Sequence, residues 1–286
     1  MSRRFFIALV FVLSAVSQCF AIDDADRMKA LAEADKAMSE NRWADAEGLI
    51  LEALRLEPAN PSNALLVSNL GMVRFYQGKD AEALETLDEA HDMAPASVTI
   101  LTNRARVKTG LGKVNEAIED YKEVCRLDST LTQPLFTLGI LQLQTGDIDA
   151  ARENAYRLEK LAPDGGETHA LLGSLAQAEG QWKEAVTQFR IAVRKDSCAE
   201  YWCSLAWSAL RSDDLSTASE AISDGLRLDP FYAELYLARI LLERARYRDA
   251  DAKLAAAKAI DAGASPAEVR AFLQAPLADL LGKKKE

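Results

Sequence analysis

The chain has 286 residues, of which 49% are hydrophobic, 27% are charged and 7% are aromatic, with only 8 Pro and 14 Gly. This composition is typical of a folded globular protein and excludes a disordered or fibrous chain. The 44 acidic residues outnumber the 34 basic ones, which gives a net charge of −10. A surface of that sign repels phosphate, so nucleic acid is not an expected partner and a basic or neutral partner is favoured.

The N-terminal residues predict an export signal rather than a part of the fold. Two arginines precede an apolar stretch, residues 5–16, and the small residue Ala21 follows before the first acidic residues. This order is typical of a secretory signal peptide, residues 1–21, with a short leader over residues 22–26. An uncleaved anchor and lipidation of Cys19 stay open as alternatives. The expected location is therefore the periplasm or the cell envelope, or outside the cell.

Small residues recur at an interval close to 34 residues along most of the chain. Ala83, Ala117, Ala151 and Ala185 are each 34 residues apart, and each follows another small residue by 12 positions. Such a period predicts stacked helix–turn–helix units, in which small side chains let two helices cross closely. The predicted crossing positions are Gly71, Ala83, Ala117, Gly139, Ala151, Gly173, Ala185, Ala218 and Ala250.

The period divides the chain into seven predicted units and a cap. The units span residues 27–60, 64–97, 98–131, 132–165, 166–198, 199–230 and 231–264. Ser265, Pro266 and Glu268 form a helix-start pattern, because Ser can cap, Pro suits the first turn and Glu completes a capping box. We therefore expect residues 265–286 to form a capping helix followed by a solvated tail. The capping helix should cover the apolar face of the last unit.

Two of the units resemble the consensus of the tetratricopeptide repeat family. The first series is Leu70-Gly71, Gly78, Ala83, Leu87, Ala90 and Pro95, and the second is Leu172-Gly173, Gly180, Trp182, Ala185, Phe189 and Ala192. The resemblance covers about residues 27–264. It implies an all-α fold, a right-handed solenoid of about seven repeats with a C-terminal capping helix.

The chain departs from this consensus at two kinds of position. Asn41, Asp213 and Ala245 replace the glycine of the turn in the first and the last two units. Arg74, Lys108 and Gln142 replace an aromatic residue in the first helices of the central units. The terminal units are therefore expected to be weaker, as is common in repeat arrays.

The family resemblance also implies where partners bind. In this family the first helices line a concave surface that binds peptides or extended protein segments, and some members hold peptide backbones with asparagines similar to Asn69 and Asn103. Carried over unit by unit, the partner-binding residues are Asn69, Met72, Tyr76, Asn103, Arg106, Phe136, Ile140, Trp207, Arg211, Tyr236 and Arg239. The alternative is that these side chains only pack between units or face water.

The sequence offers little material for catalysis. His91 and His169 lie in different units, and neither neighbours a set of residues with metal-ligand spacing. We expect no enzyme activity, cofactor, metal or small-molecule substrate. Cys198 and Cys203 could form a disulfide or, with Cys125, act as packing residues. The predicted function is an exported scaffold that binds protein or peptide and supports an envelope complex; the alternative is a lipid-anchored, self-assembling outer-membrane component.

Overall fold

The computed structural model describes residues 24–282, and every regular element in that range is a helix. The predicted signal peptide, with Cys19, lies outside the described residues, as does the tail over residues 283–286. The chain divides into two compact parts, each larger than a single repeat. From here on, unit one is the part that ends at Pro134, and unit two is the part that begins at Leu135. Consecutive helices pack in pairs within each unit, so the predicted all-α solenoid fold is confirmed.

Unit one contains three helix pairs. Their helices are α1 (Asp24–Ser39), α2 (Trp43–Leu56), α3 (Asn63–Tyr76), α4 (Asp80–Met93), α5 (Val98–Gly110) and α6 (Val114–Leu127). Each helix packs on the next one in the chain, and α3 also packs on α5. Because the first helices α3 and α5 contact each other directly, they lie in one layer of the unit, and the second helices α4 and α6 lie in the other.

Unit two repeats this arrangement and ends in a cap. Its helices are α7 (Thr132–Thr145), whose first turn belongs to unit one, α8 (Ile148–Leu161), α9 (Gly166–Ala178), α10 (Trp182–Lys195), α11 (Ala199–Arg211), α12 (Leu215–Leu228), α13 (Ala233–Ala245), α14 (Asp249–Asp261), α15 (Pro266–Gln274) and α16 (Leu277–Leu280). The hydroxyl of Ser265 accepts a hydrogen bond from the backbone N–H of Glu268, as the helix-start pattern predicts. The helix α15 packs on both α13 and α14.

Each helix pair turns at a residue with positive φ, a backbone conformation that glycine adopts at the least cost. Asn41 and Asp213 hold this conformation in the first and sixth pairs, and Tyr247 holds it in the last pair with φ of 58°. The predicted replacement of the turn glycine by Ala245 is therefore wrong by two residues. The other four turns carry Gly78, Gly112, Gly146 and Gly180.

Small residues lie where the two helices of a pair cross. A Cβ atom added to Gly71 would lie 2.6 Å from Cγ of Leu87, and one added to Gly173 would lie 2.9 Å from the ring of Phe189. Such distances leave no room for a side chain. Ala83, Ala117, Ala151, Ala185 and Ala218 are buried as well. Gly139 is also buried, but a Cβ atom added to it would meet Leu171 of α9, the first helix of the next pair.

The crossing residue predicted for the last pair needs a correction. Ala250 is exposed, whereas Ala252 is 2% exposed and lies 34 residues after Ala218. Ala252 is also the fourth residue of α14, the place that Ala218 takes in α12. The error has a physical cause, because α14 is so rich in alanine that a small side chain alone does not identify the crossing point.

Polar pairs take the place of the missing aromatic residues in three central repeats. Arg74 donates to Thr86 at 2.6 Å, Lys108 donates to Asp120 at 2.8 Å, and Asn154 donates to Gln142 at 2.7 Å. Each pair joins the first helix to the second across 12 residues of sequence. A buried polar group without a partner destabilises a fold, so each polar residue of a first helix needs its partner on the second.

Candidate functional site on the first helices

The candidate surface consists of the residues that follow the crossing residue of each first helix by one position. We call this surface the first-helix face. In unit one it contains Asp35, Met72 and Arg106, and in unit two it contains Ile140, Ser174, Trp207 and Leu241. Leu241 belongs to the set because the turn residue Tyr247 lies 34 residues after Asp213, which makes Ile240 the equivalent of Ala206.

Two asparagines lie beside this face in unit one. Asn69 and Asn103 are half-buried and take the same position in α3 and α5. Nδ2 of Asn103 donates a hydrogen bond to Oγ of Ser68 at 3.1 Å, which ties the two first helices together. The amide of Asn69 has no hydrogen-bond partner among residues 24–282. An amide side chain both donates and accepts, so it can pair with an extended backbone.

Arg106 adds a positive charge to the same side of α5. It lies three residues after Asn103, and side chains at that spacing are neighbours on a helix surface. Burial raises the pKa of Tyr121, and the positive charge of Arg106 partly offsets that rise. The charge of Arg106 therefore acts on the phenol of Tyr121 in α6.

Met72 and Tyr76 are less available to a partner than the sequence predicts. Met72 is 6% exposed and packs in a buried cluster with Leu87. The ring of Tyr76 stacks on Trp43, with 4.5 Å between ring centroids and 17° between ring planes. Met72 is therefore a core residue rather than a binding residue. Tyr76 joins the second repeat to the first.

A charge cluster fixes the contact between the first two repeats of unit one. The carboxylate of Glu47 in α2 accepts hydrogen bonds from Arg74 at 3.0 Å, Gln77 at 2.9 Å and Lys79 at 2.6 Å. Burial raises the pKa of Glu47, but the hydrogen bonds from these three residues outweigh that effect and hold its pKa at about 2. The carboxylate is therefore ionised at neutral pH and stabilises the folded repeat pair.

A second charge cluster lies inside unit one. Asp120, which is 6% exposed, accepts hydrogen bonds from both nitrogens of one edge of Arg104, at 2.9 and 2.7 Å, and from Lys108 at 2.8 Å. Arg104 also pairs with Asp88 at 2.9 Å. These bonds connect α4, α5 and α6, so they are structural rather than part of the first-helix face.

The predicted binding residues of α7 contribute apolar surface in unit two. Ile140 is half-buried on the first-helix face. Phe136 is also half-buried and packs against the main apolar cluster of the unit, which includes Phe189 and Leu205. Phe136 therefore contributes to the packing of unit two as well as to its surface.

Trp207 and Arg211 of α11 are both in contact with other parts of unit two. The rings of Trp207 and Phe272 meet edge to face with 5.9 Å between centroids. The guanidinium carbon of Arg211 lies 4.7 Å from the ring centroid of Trp182, which begins α10. Arg211 thus takes the same inter-repeat role as Tyr76 does in unit one.

The register of α13 differs by two residues from the one on which Tyr236 and Arg239 were predicted, so Leu241 rather than Arg239 takes the position of Trp207. With Ile240 as the crossing residue of α13, the two-residue difference corresponds to a rotation of about 200° around the helix, at roughly 100° per residue. Tyr236 is instead the equivalent of Trp202, and both donate to the loop before their helix. The Tyr236 hydroxyl bonds the carbonyl of Pro230 at 3.0 Å, and Nε1 of Trp202 bonds Ser197 at 2.9 Å.

The segment that covers Trp207 was not predicted as part of the site. We define the C-terminal segment as residues 266–281, which contain α15 and α16. Its Leu281 is 3% exposed and packs in the cluster that contains Leu241. Arg244 of α13 donates hydrogen bonds to the carbonyl oxygens of Phe272 and, at 2.7 Å, of Ala275. The sequence signal for this contact is the mostly apolar run of residues, 277–281, that follows the end of α15.

A pocket of about 320 Å³ lies between α10, α11 and α12, away from the first-helix face. Its lining includes Arg190, Arg194, Trp202 and Glu220. Arg190 already donates a hydrogen bond to Thr217 across the pocket at 2.6 Å. The pocket is therefore partly closed by the protein's own side chains.

The described part of the chain holds no group of three or more His, Cys, Asp and Glu residues that could bind a metal. Within the described residues, Cys125, Cys198 and Cys203 form no disulfide. Burial raises the pKa of Cys198 and of Cys203 to about 12, which opposes formation of the reactive thiolate. Among residues 24–282, no helix is both long enough and apolar enough to cross a membrane.

The sequence matches a family model described as tetratricopeptide repeat over residues 31–98, 136–197 and 170–233, and a second model of that description over residues 98–131. These ranges cover more than half of the chain. Among solved structures, a tetratricopeptide repeat protein from Parabacteroides merdae superposes with a TM-score of 0.73 at 23% sequence identity, and the match covers 87% of this chain and 98% of that one. That likeness supports the fold.

Two curated relatives contain the same repeats inside longer proteins. The thioredoxin TTL4 of Arabidopsis thaliana is 25% identical over 190 residues, which is 62% of this chain and 27% of the relative. The J domain-containing co-chaperone DNJ1 of Fusarium oxysporum is 29% identical over 159 residues, which is 52% of this chain and 30% of the relative. This chain therefore spans less than a third of the length of either relative.

Proposed function

Because the chain belongs to the tetratricopeptide repeat family, we propose that it is an exported scaffold that binds segments of partner proteins on its first-helix face. Proteins built from these repeats generally mediate protein–protein interactions, and the repeat fold is typically not catalytic. The proposal includes which residues bind the partner, export of the protein, and a role in a complex of the cell envelope.

The observation that carries the proposal is the pair of equivalent asparagines in unit one. Asn69 and Asn103 lie one repeat apart on the same side of successive first helices, and the amide of Asn69 has no partner among the described residues. An extended peptide could pair its N–H and C=O groups with both amides without depending on its side chains. The charge of Arg106 favours a backbone carbonyl or a carboxylate beside them.

Export is proposed from the order of basic, apolar and small residues in 1–21. Cleavage after Ala21 would release the repeats into the periplasm or the medium. Lipidation of Cys19 would instead anchor them to a membrane, which is the alternative in which the protein is a self-assembling structural component. The net charge of −10 favours a basic or neutral partner in either case.

A redox function does not follow from the relative that is named a thioredoxin. Redox motifs of that kind place two cysteines as Cys-x-x-Cys, whereas Cys198 and Cys203 are five residues apart. The raised pKa of both thiols also opposes the nucleophilic attack that starts thiol–disulfide exchange.

Affinity capture from an envelope extract tests the binding proposal. We expect the full chain to recover distinct partner proteins, and the double variant Asn69→Ala with Asn103→Ala to recover them poorly. Asn115→Ala is the matched control, because Asn115 is exposed on the second helix α6. Undiminished recovery by a double variant with unchanged circular dichroism contradicts the proposal, and recovery of the same chain alone supports the self-assembling alternative.

The mass of the protein purified from cells tests the export proposal. A chain that begins at Ile22 supports cleavage after Ala21, and a lipid-modified Cys19 supports the anchored alternative. An intact chain beginning at Met1 in the cytoplasm contradicts both.

A further inference from the structure

We propose that the first-helix face of α11 and α13 is a docking surface for an apolar, leucine-rich segment of a partner protein, and that the C-terminal segment occupies this surface in the free protein. The inference deepens the proposed function and rests on it, because it concerns a second part of the same kind of surface. It differs in its ligand chemistry, since unit one offers amides and this surface offers apolar side chains.

The C-terminal segment is seated through apolar side chains. Phe272 meets Trp207 edge to face, and Leu281 is buried in the cluster that contains Leu210 and Leu241. Leu277 and Leu280 are partly buried and pack against the same cluster. The side chains that this surface accepts are therefore one aromatic ring and a short run of leucines.

Arg244 holds the backbone of the segment rather than its side chains. Its guanidinium donates to the carbonyl oxygens of Phe272 and Ala275, 28 and 31 residues further along the chain. Every peptide offers carbonyl oxygens, so these two bonds are available to any segment that places its backbone there. If Arg244 lost both acceptors in its half-buried site, its unpaired charge would destabilise the protein. The surface is therefore more stable when some segment, either the protein's own or a partner's, supplies these carbonyl oxygens.

The segment is weakly built compared with the repeats that it covers. The nine-residue helix α15 buries only Val269 completely, and the four-residue helix α16 buries none of its residues. Helices this short are not stable by themselves. Elements with few buried contacts open at a lower free energy than the whole protein, so the segment can leave while α11 and α13 stay folded.

A synthetic peptide of residues 264–286 with a fluorescent label tests the proposal on the full-length chain. Three proteins are compared by fluorescence anisotropy: the wild type, a release variant with Phe272→Ser and Leu281→Ser, and that release variant with Trp207→Ala added. We expect the wild type to bind the peptide, and the release variant to bind it at least about tenfold more tightly, because its own segment no longer competes. The variant that also lacks Trp207 should lose most of the gain.

Two controls keep the result specific. A peptide in which the three leucines at 277, 280 and 281 are serine should not bind, because the proposed surface recognises apolar side chains. Circular dichroism of each variant should match that of the wild type. If the release variant binds no better than the wild type, or if the serine peptide binds equally well, the proposal is wrong.

Hydrogen exchange of the wild type provides a measurement that needs no variant. We expect the amides of residues 266–281 to exchange faster than those of α13, and excess peptide to leave α11 and α13 protected while residues 266–281 exchange faster still. Exchange of the segment only at the rate of global unfolding would show a permanent cap and overturn the proposal. A dimer of the wild type that the peptide dissociates would assign the surface to a second copy and would also overturn it.

The two proposals fail independently. The peptide experiments use only the purified chain, so they do not depend on whether an extract contains a partner for Asn69 and Asn103. Loss of peptide binding leaves the capture experiment unaffected, and a failed capture experiment leaves the peptide affinities unchanged.

Discussion

The guanidinium carbon of Arg211 lies 4.7 Å from the ring centroid of Trp182, so a first helix contacts the turn end of the repeat before it. The first two repeats of unit one make the same contact with different chemistry. Trp43 begins α2 as Trp182 begins α10, and it stacks on Tyr76. A tryptophan at this position therefore joins two successive repeats.

A double-mutant cycle should detect this inter-repeat contact in unit two. We expect Trp182→Ala and Arg211→Ala each to lower the free energy of unfolding, with a coupling of about 0.5–1 kcal/mol for a partly exposed cation–π pair. Urea denaturation of the wild type, the two single variants and the double variant measures it. Additive effects would mean that the guanidinium and the ring do not stabilise each other.

The corrected crossing residue of the last pair gives a matched comparison within one helix. Ala252→Leu should overpack the contact between α13 and α14 and destabilise the protein by about 1–3 kcal/mol. Ala250→Leu should change stability by less than about 0.5 kcal/mol, because Ala250 is exposed. Thermal unfolding distinguishes them. Equal effects, or a larger effect of Ala250→Leu, would mean that Ala252 is not the crossing residue of the last pair.

The repeat period made the fold predictable where one small residue stands alone among larger ones. Ala117 and Ala185 have such surroundings, and both are fully buried. The last pair differs, because Ala250 and Ala252 are equally small and only the turn conformation at Tyr247 decides between them. A two-residue error there changed which residues of α13 were taken as equivalent to Trp207 and its neighbours in α11.

The candidate site was less predictable than the fold because its residues depend on contacts between distant parts of the chain. The sequence placed Trp207 on the first-helix face, but it could not show that Phe272, 65 residues later, lies against it. Asn69 and Asn103 were predictable, since an equivalent position in two successive repeats needs only the period. The position of the C-terminal segment on unit two could not be predicted in this way, because it depends on the path that the chain takes after Gly263.

The ionisation of Glu47 should make the contact between the first two repeats pH-dependent. Its pKa in the folded protein is about 2, below the ordinary value of 4.5. A carboxylate with a lowered pKa stabilises the fold fully above its unfolded pKa, and that contribution is lost as the pH falls from about 4.5 towards 2. Glu47→Gln should therefore be less stable than the wild type at pH 7, and the difference should shrink below pH 4.5.

Urea denaturation of both proteins between pH 3 and pH 7 measures this difference. Glu52→Gln is the matched control, because Glu52 lies on the same helix and is exposed. We expect its stability to follow that of the wild type throughout the range. A difference between Glu47→Gln and the wild type that stays constant with pH would show that the charge of Glu47 is not what stabilises the contact.

Removal of Asp120 should destabilise unit one more than removal of its neighbour Asp88. Asp120→Ala leaves Arg104 and Lys108 without their shared acceptor, and an unpaired buried charge costs about 3–5 kcal/mol. The side chain of Asp88 is 59% exposed, and loss of such a surface pair costs at most about 1 kcal/mol.

Because Lys108 also stands where the family usually has an aromatic residue, the double variant Asp120→Leu with Lys108→Phe should recover part of the loss if apolar packing can replace the ion pair. A double variant as unstable as Asp120→Ala would show that Arg104 alone requires the carboxylate.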